Sequence, residues 1–136
     1  MGQTDEEFKE SIKKITDPCF IINHPLEISP LAKKSEQDPN KASRFQLVIA
    51  GIELGNAFSE LNDPLQQAER FKEQAKSKKI KKDEKQPYDK DFVEALEYGM
   101  PPAAGFGIGL DRLVALLTDS HSLREIILFP TMRPKK

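Results

Sequence analysis

Three glycines alternate with apolar residues in the segment 105–109, and an acidic and a basic residue follow closely at Asp111 and Arg112. Glycine has no Cβ, so a ligand or a neighbouring backbone can approach the main chain closely. Arg112 falls in the first turn of an expected helix, where its planar guanidinium is able to pair with phosphate oxygens or stack on a base. The segment therefore predicts a nucleotide site, and close packing of a strand on a helix is the alternative.

The glycine spacing differs from that of the two common phosphate-binding loops. A P-loop ends in Gly-Lys-Ser/Thr, whereas Gly109 is followed by Leu110 and Asp111. The dinucleotide fingerprint requires a glycine three residues after its second one, and that position holds Leu110. The remaining prediction is a strand-to-helix element that presents Arg112 beside a bare backbone.

A second group of polar residues, Glu53, Asn56 and Glu60, stands among apolar residues. Such side chains are costly when they are buried without partners, and a carboxylate recognises an ammonium group by a charge-assisted hydrogen bond. Strict alternation places Asn56 and Glu60 on one face of a strand and Glu53 on the other. A ligand shared by Glu53 and Asn56 therefore requires a β-bulge near Gly55, and a glycine is well suited to one. The pattern predicts either a site for a cationic ligand at Glu60 or an edge strand with one wet face.

The stretch that contains these residues, 44–61, is rich in β-branched and aromatic residues and has one turn-like break at Ala50-Gly51. This pattern predicts an antiparallel hairpin with a tight turn. A two-residue turn there places Gln46 opposite Gly55 and Val48 opposite Glu53, so that Gln46 and Glu53 share a face.

Helices and further strands flank the hairpin. The helix that begins at Pro64, with Asp63 as its N-cap, is predicted to bury Leu65, Ala68, Phe71 and Ala75. The order of elements predicts an α+β fold in which helices flank an antiparallel sheet. Besides the hairpin, the predicted helices are Asp5–Ile15, Pro64 to about Lys79, Asp89–Tyr98 and Leu110–Leu117, and the predicted strands are Cys19–Ile22, the glycine segment and Ile126–Phe129.

Length and charge limit the class of protein. A chain of 136 residues suits one ordinary domain. Its formal net charge of -1 excludes a strongly basic protein that wraps nucleic acid. The lysine-rich tract 76–90 is either a solvated helix end with a loop or an RNA-binding tract, and its interleaved acids favour the former. Since no apolar run approaches the roughly 18 residues of a membrane helix, no contact with a membrane is expected.

Cysteine and histidine give no sign of catalytic chemistry. The single Cys19 excludes an internal disulfide, and together with the lack of a signal-peptide pattern it predicts a cytoplasmic location. His24 precedes a proline and has no serine, cysteine or second histidine at a suggestive spacing, so no catalytic role is expected for it.

Four stretches of the chain, in this order, resemble the C-terminal half of the catalytic domain of the class II lysyl-tRNA synthetases. Pairing of NAFSELNDP with GFGIGLDR is specific to that family, and the resemblance covers nearly the whole chain after the first dozen residues. The stretches are PCFIINHPLEISPLAK (18–33), RFQLVIAGIELGNAFSELNDP (44–64), EALEYGMPPAAGFGIGLDR (94–112) and ILFPTMRP (127–134).

The resemblance implies an enzyme that activates lysine with ATP and transfers it to tRNA(Lys). On that basis the glycine segment is motif 3, Arg112 is the catalytic residue that contacts ATP, and Gly109 lets the backbone lie against ATP and lysine. Glu60 matches the residue that takes the lysine ε-ammonium, and Asn56 matches a residue near the substrate carboxylate. Glu53 matches a glutamate that binds ATP through magnesium.

Several positions differ from the family pattern. The second magnesium glutamate is replaced by Gln46, whose neutral amide should weaken a metal site or leave it to Glu53 alone. Asn23 stands where aspartate is usual, and Ala103 where threonine is common. Ile52 replaces a frequent arginine, as in a truncated paralogue that lysylates a protein, although Ser59 to Pro64 match the synthetase.

The resemblance predicts that residues 1–136 are the C-terminal portion of a class II catalytic domain. Motif 1, which builds the family's homodimer, motif 2, whose arginine grips the α-phosphate, and the OB-fold are not found in these residues. Such a fragment is expected not to aminoacylate tRNA alone. The alternatives are a truncated paralogue that binds lysine and ATP or lysylates protein, and an interaction fragment whose exposed sheet edge recruits other chains.

Overall fold

A computed structural model describes residues 5–76 and 88–131, so most of the lysine-rich tract lies outside the described residues. The architecture is the predicted α+β arrangement, in which four antiparallel strands follow one another in chain order across the sheet. The strands are β1 (Cys19–Ile22), β2 (Arg44–Ile49), β3 (Ile52–Ser59) and β4 (Ala104–Ile108). The α-helices are α1 (Asp5–Ile12), α2 (Pro64–Lys76), α3 (Lys90–Glu97) and α4 (Leu110–Leu117).

The predicted turn between β2 and β3 is confirmed. Ala50 and Gly51 both have positive φ, 50° and 73°, as the two-residue type I′ turn of a hairpin requires. Their backbone N–H groups donate to the carbonyls of Thr16 and Ile15, at 3.1 and 2.6 Å. The turn is therefore tied to the chain that leads from α1 to β1.

The β-bulge required by the polar residues is also present, one residue before the expected glycine. Val48 pairs with Glu53 as predicted, but Leu47 pairs with Gly55, so Leu54 is the extra residue of β3. Consequently Gln46 lies opposite Asn56 rather than opposite Gly55, and the prediction for that pair is wrong. Because directly paired residues share a face, the bulge brings Glu53 to the same side of the sheet as Asn56.

Helix α2 begins as predicted but buries a different face. Asp63 Oδ1 accepts hydrogen bonds from the N–H groups of Leu65 and Gln66, which caps the helix. Leu65 is nevertheless 75% exposed, whereas Gln67 is fully buried. The apolar spacing is misleading here because α2 packs on a loop whose backbone carbonyls need donors, and Gln67 Nε2 donates to one of them, the carbonyl of Pro30, at 3.3 Å.

The predicted last strand, Ile126–Phe129, is wrong. The segment follows a short 3-10 helix, Leu123–Glu125, and forms no strand. Leu128 and Phe129 are 90% and 91% exposed. Apolar residues form a strand only where a neighbouring strand offers hydrogen bonds and a packing surface, and the described residues pair no strand with this segment.

The sheet has two unlike faces. The glycine face, as we name it, carries Gln46, Asn56 and Phe58 beside Gly105 and Gly107. The aromatic face carries the rings of Phe20, Phe45 and Phe106, with centroids 5.4 Å apart for Phe20–Phe45 and 6.4 Å apart for Phe45–Phe106. Across residues 5–76 and 88–131, no helix combines the length and the apolar character needed to cross a membrane.

Candidate lysine and nucleotide site

The glycine face is bare next to the two polar residues predicted to hold an amino acid. A Cβ on Gly107 would meet no atom nearer than the Asn56 carbonyl oxygen, at 4.0 Å. A Cβ on Gly105 would lie only 2.7 Å from Glu60 Oε1. The carboxylate of Glu60 therefore rests directly on the backbone of Gly105, in a space that any larger residue would fill.

The backbone of Glu60 is held from both sides, just after the end of β3. Its N–H donates to the Ala103 carbonyl at 3.0 Å, and an isolated antiparallel bridge pairs it with Ala32. The residues on either side are also bonded, since the Lys33 N–H donates to the Ser59 carbonyl at 2.7 Å. These contacts fix the origin of the Glu60 side chain relative to both the glycine strand and the preceding loop.

Asn56 has a partner that sequence reasoning missed. Arg44 Nε donates to Asn56 Oδ1 at 2.9 Å, and Arg44 NH1 donates to the Ile28 carbonyl at 3.1 Å and to Ser29 Oγ at 3.0 Å. The available signal was a charged residue at the start of the otherwise uncharged strand β2. Its partner depends on a register that the bulge shifts.

Arg112 lies beside the backbone of Glu53. Its NH1 group donates to the Glu53 carbonyl, and its aliphatic stem covers Gly109, with Cδ 3.2 Å from where a Cβ would stand. Arg112 and Glu53 line a groove of about 690 Å³ whose other wall is formed by α1, including Lys9, and by Lys13 just after it. Gly109 thus gives the aliphatic stem of Arg112 room to cross the strand-to-helix junction.

Gln46 is buried on the same face and only 4% exposed. Its Oε1 atom has no hydrogen-bond partner among the described residues. Gln46 pairs with Asn56 and lies two residues along β2 from Val48, the partner of Glu53, so Gln46 and Glu53 occupy diagonal positions on one face. The part of the chain that the structure describes holds no group of three or more histidine, cysteine, aspartate or glutamate residues that could bind a metal.

The sequence model of the tRNA synthetases class II (D, K and N) matches residues 2–133. The chain belongs to this family. The family resemblance read from the motifs is thereby confirmed, and so is the fold class.

Relatives within the class II synthetases are close in sequence. A lysine--tRNA ligase of Lactiplantibacillus plantarum is 56% identical over 131 residues, which are 96% of this chain and 26% of the relative. Lysine--tRNA ligases of Thermosipho africanus and Helicobacter hepaticus are 58% and 52% identical, over 89% and 100% of this chain and 24% and 26% of their own lengths. The chain thus spans about a quarter of the length of the curated relatives that it matches.

The predicted site residues of this class II synthetase chain share one face of the sheet but not one cavity. Glu53 and Arg112 line the groove beside α1, whereas Asn56 lines a hollow of about 140 Å³ with Arg44 and Ser29. Glu60 borders a third cleft, of about 630 Å³, at the end of the sheet. The structure therefore brings Arg112 together with Glu53, and it places Asn56 and Glu60 in two adjoining hollows that Arg44 and Phe58 both line.

His24 is a packing residue of this class II synthetase chain. It is 1% exposed, its Nε2 lies 3.2 Å from the Ile21 carbonyl, and its ring meets Phe8 edge to face at 5.2 Å between centroids. Burial lowers the pKa of His24 below its ordinary value, and the nearby positive charge of Arg44 lowers it further. Both effects favour the neutral form of the imidazole, which lies in the loop that supports Arg44.

Proposed function

We propose that this chain supplies the lysine pocket and one side of the ATP site of a lysine--tRNA ligase. The observation that carries the proposal is the carboxylate of Glu60 seated on the bare backbone of Gly105. The three relatives named as lysine--tRNA ligases support the choice of substrate, since they are 52–58% identical to this chain. In this proposal residues 1–136 form the C-terminal portion of the catalytic domain.

Lysine recognition rests on two groups at opposite ends of the ligand. Glu60 accepts a charge-assisted hydrogen bond from the ε-ammonium, and Asn56 donates to the α-carboxylate. The two residues are four positions apart on one side of the strand, so their Cα atoms are about 13 Å apart. With both side chains reaching inward, the gap suits an amino acid with a long side chain that carries a terminal cation.

Arg112, Gly109 and Glu53 form the ATP side of the proposed site. The guanidinium, held against the carbonyl of Glu53, offers the remaining donors of its planar fork to phosphate oxygens and stabilises the negative charge that develops as pyrophosphate leaves. The bare backbone of Gly109 permits close approach. Because Arg112 is already oriented, it requires little rearrangement when the nucleotide binds.

Magnesium fits the oxygen atoms on this face. The buried Oε1 of Gln46 lacks a partner among the described residues, and the Glu53 carboxylate lies on the same side of the sheet. An amide and a carboxylate oxygen are both hard donors that Mg²⁺ accepts, with water and phosphate oxygens in its other positions. When bound, the ion would neutralise charge on the ATP phosphates. With only one carboxylate, we expect weaker affinity than a pair of glutamates would give.

In this proposal the charging of tRNA(Lys) and the formation of a homodimer are properties of the whole ligase. Phosphate charge in the transition state needs donors on several sides, and Arg112 supplies only one of them. The 136-residue chain is therefore expected to bind lysine without charging tRNA.

Calorimetry with lysine tests the pocket, using the chain and its Glu60→Gln variant. A hydrogen bond to a charged group is worth about 1.5–3 kcal/mol, so the variant should bind lysine at least about tenfold more weakly. Glu69→Gln is the matched control because Glu69 is an exposed carboxylate on α2. The proposal fails if the chain binds no lysine or if Glu60→Gln binds it as the parent does. Lysine binding with equal affinity for alanine would also contradict it.

A further inference from the structure

Arg44 is a charged residue on the glycine face for which the proposed function has no task. It is half-buried at the start of β2, and its guanidinium reaches two different parts of the fold. One end donates to Asn56 on the neighbouring strand, and the other donates to Ile28 and Ser29 in the preceding loop. Arg44 therefore joins a predicted ligand-binding side chain to a fixed piece of backbone.

The chemistry of the pair fixes which way the Asn56 amide points. A guanidinium has donors and no acceptor, so only the carbonyl oxygen of the amide is able to face Arg44 Nε. The Nδ2 group, with two donors, must then point away from Arg44. Among the described residues no group accepts a hydrogen bond from this Nδ2, since the contact with Arg44 is the one that the Asn56 side chain makes.

The loop end of Arg44 is itself held in place by α2. Arg70 NH1 donates to the carbonyls of Ser29, Pro30 and Ala32. The fully buried Gln67 donates to the Pro30 carbonyl as well. Two donors from one helix thus anchor the segment that positions Arg44. A planar fork bonded at both ends has little freedom to turn.

The side of Asn56 towards β4 is open to a ligand. Its partner on β4 is Gly107, and a Cβ added to Gly107 would have no atom nearer than 4.0 Å. Asn56, Arg44 and Ser29 also line the hollow of about 140 Å³. The outward donors of the amide therefore meet space rather than protein.

We propose that Arg44 is a positioning residue that turns the donor end of Asn56 towards the ligand. The site then selects a ligand that presents an acceptor with negative charge, such as the α-carboxylate of an amino acid, over one that presents an amide. This inference rests on the proposed function for the identity of the ligand. Without Arg44, the amide is free to rotate and to present its oxygen, which repels a carboxylate.

The affinity ratio for lysine over lysinamide measures this selectivity. Lysinamide keeps the ε-ammonium and replaces the carboxylate by a neutral amide. The parent chain should prefer lysine by about tenfold, whereas Arg44→Gln should bring the ratio close to one. Arg44→Lys, which keeps one charged donor nitrogen but loses the planar fork, should give an intermediate ratio. Arg124→Gln is the control, since Arg124 is an exposed arginine in the 3-10 helix Leu123–Glu125. Equal weakening of both ligands by Arg44→Gln would overturn the proposal.

Nuclear magnetic resonance decides the orientation without any ligand. With the amide oxygen facing Arg44, the Arg44 Nε proton should exchange slowly with water and show no strong cross-relaxation with the Asn56 Nδ2 protons. Asn56→Asp should keep that protection, because a carboxylate accepts the same bond, while weakening lysine binding about tenfold or more through loss of the donor. Strong cross-relaxation, or unchanged lysine binding by Asn56→Asp, would refute the role of Arg44. Failure of the parent chain to bind lysine would contradict the proposed function, whereas the ligand-free spectra would still decide this inference.

Discussion

At the scale of single residues, the sequence indicates which side chains are unusual but not what each one touches. Glu53, Asn56 and Glu60 stand out because polar groups in an apolar strand are costly without partners. The contact between Asn56 and Arg44 depends on a register shift at Leu54, and the residue types around Leu54 do not predict the position of that shift. The seat of Glu60 on a glycine likewise depends on how two distant strands align.

Gly105→Ala should weaken lysine binding with little effect on stability. The added Cβ would stand 2.7 Å from Glu60 Oε1, and the end of a flexible side chain can move away at low cost. Alanine also reduces the conformational freedom of the unfolded chain, so the unfolding midpoint should stay the same or rise slightly. Lysine affinity should fall about tenfold through the displaced carboxylate. A fall in stability with intact lysine binding would show that Glu60 does not use this space for the ligand. Calorimetry and thermal unfolding on the same samples separate the two results.

Stability should depend on pH through His24. Burial lowers its pKa in the folded chain below the ordinary value of 6.5, and Arg44 adds to this. Above that value both folded and unfolded chains hold a neutral imidazole, so this contribution to stability is complete. As the pH falls below 6.5, the unfolded chain takes up the proton first, and the free energy of unfolding decreases.

Urea unfolding at pH 7.5 and pH 5.5 measures this effect. The loss on acidification should shrink in His24→Gln and persist in His121→Gln, which changes the other, exposed histidine. Should His24→Gln not fold, titration of the His24 ring protons in the parent chain gives the same answer. A midpoint at or above 6.5 would contradict the expected sign.

At the scale of elements, local signals predicted the starts and turns of elements well and their packing poorly. Cap and turn residues act through their own backbone, so the Asp63 cap and the Ala50-Gly51 turn could be predicted directly from the sequence. The buried face of α2 could not be predicted in full, because Gln67 and Arg70 pack on a loop whose carbonyls need donors. Of the predicted apolar residues, Phe71 meets the aromatic rings of Tyr88 and Phe92. The predicted strand Ile126–Phe129 failed for a related reason, as a strand needs a neighbour that the segment itself does not specify.

Gly51→Ala should destabilise the hairpin more than an ordinary substitution at the protein surface. The residue has φ 73°, and a Cβ there would lie 3.0 Å from the Lys13 carbonyl oxygen, which belongs to the backbone and cannot move freely. A left-handed conformation costs a residue with a Cβ about 1–2 kcal/mol, and the contact adds to this. Urea denaturation should show a loss of at least about 1 kcal/mol.

Ala50→Asn, at the neighbouring turn residue, should change the stability in the opposite direction. Asparagine followed by glycine is the preferred pair for a type I′ turn, and Ala50 already has φ 50°. We expect this variant to be more stable than the parent. If both variants unfold at the parent's urea concentration, the turn is not a determinant of stability.

At the scale of the whole molecule, the two faces of the sheet differ in what they expose. The glycine face carries polar groups, and three of them, Glu53, Asn56 and Glu60, border hollows. On the aromatic face, Phe20, Ile22 and Phe106 are 64%, 61% and 60% exposed. A contiguous apolar area of this kind favours association, and it lies on the side of the sheet away from the proposed lysine pocket.

The chain should therefore associate through its aromatic face as its concentration rises. In sedimentation or light scattering, the average mass should increase with concentration. Each contact removes apolar area from water, which stabilises the associated form by about 25 cal/mol per Å² of buried apolar area. Phe106→Lys should reduce this increase, since a charge in the middle of the aromatic face would have to be desolvated. Tyr98→Lys, at an aromatic residue that is 87% exposed beyond the end of α3, should leave it unchanged. A parent chain that stays monomeric at millimolar concentration, or equal effects of the two substitutions, would show that this face does not drive association. Lysine binding should be retained by Phe106→Lys, because its side chain lies on the opposite side of the sheet from Asn56 and Glu60.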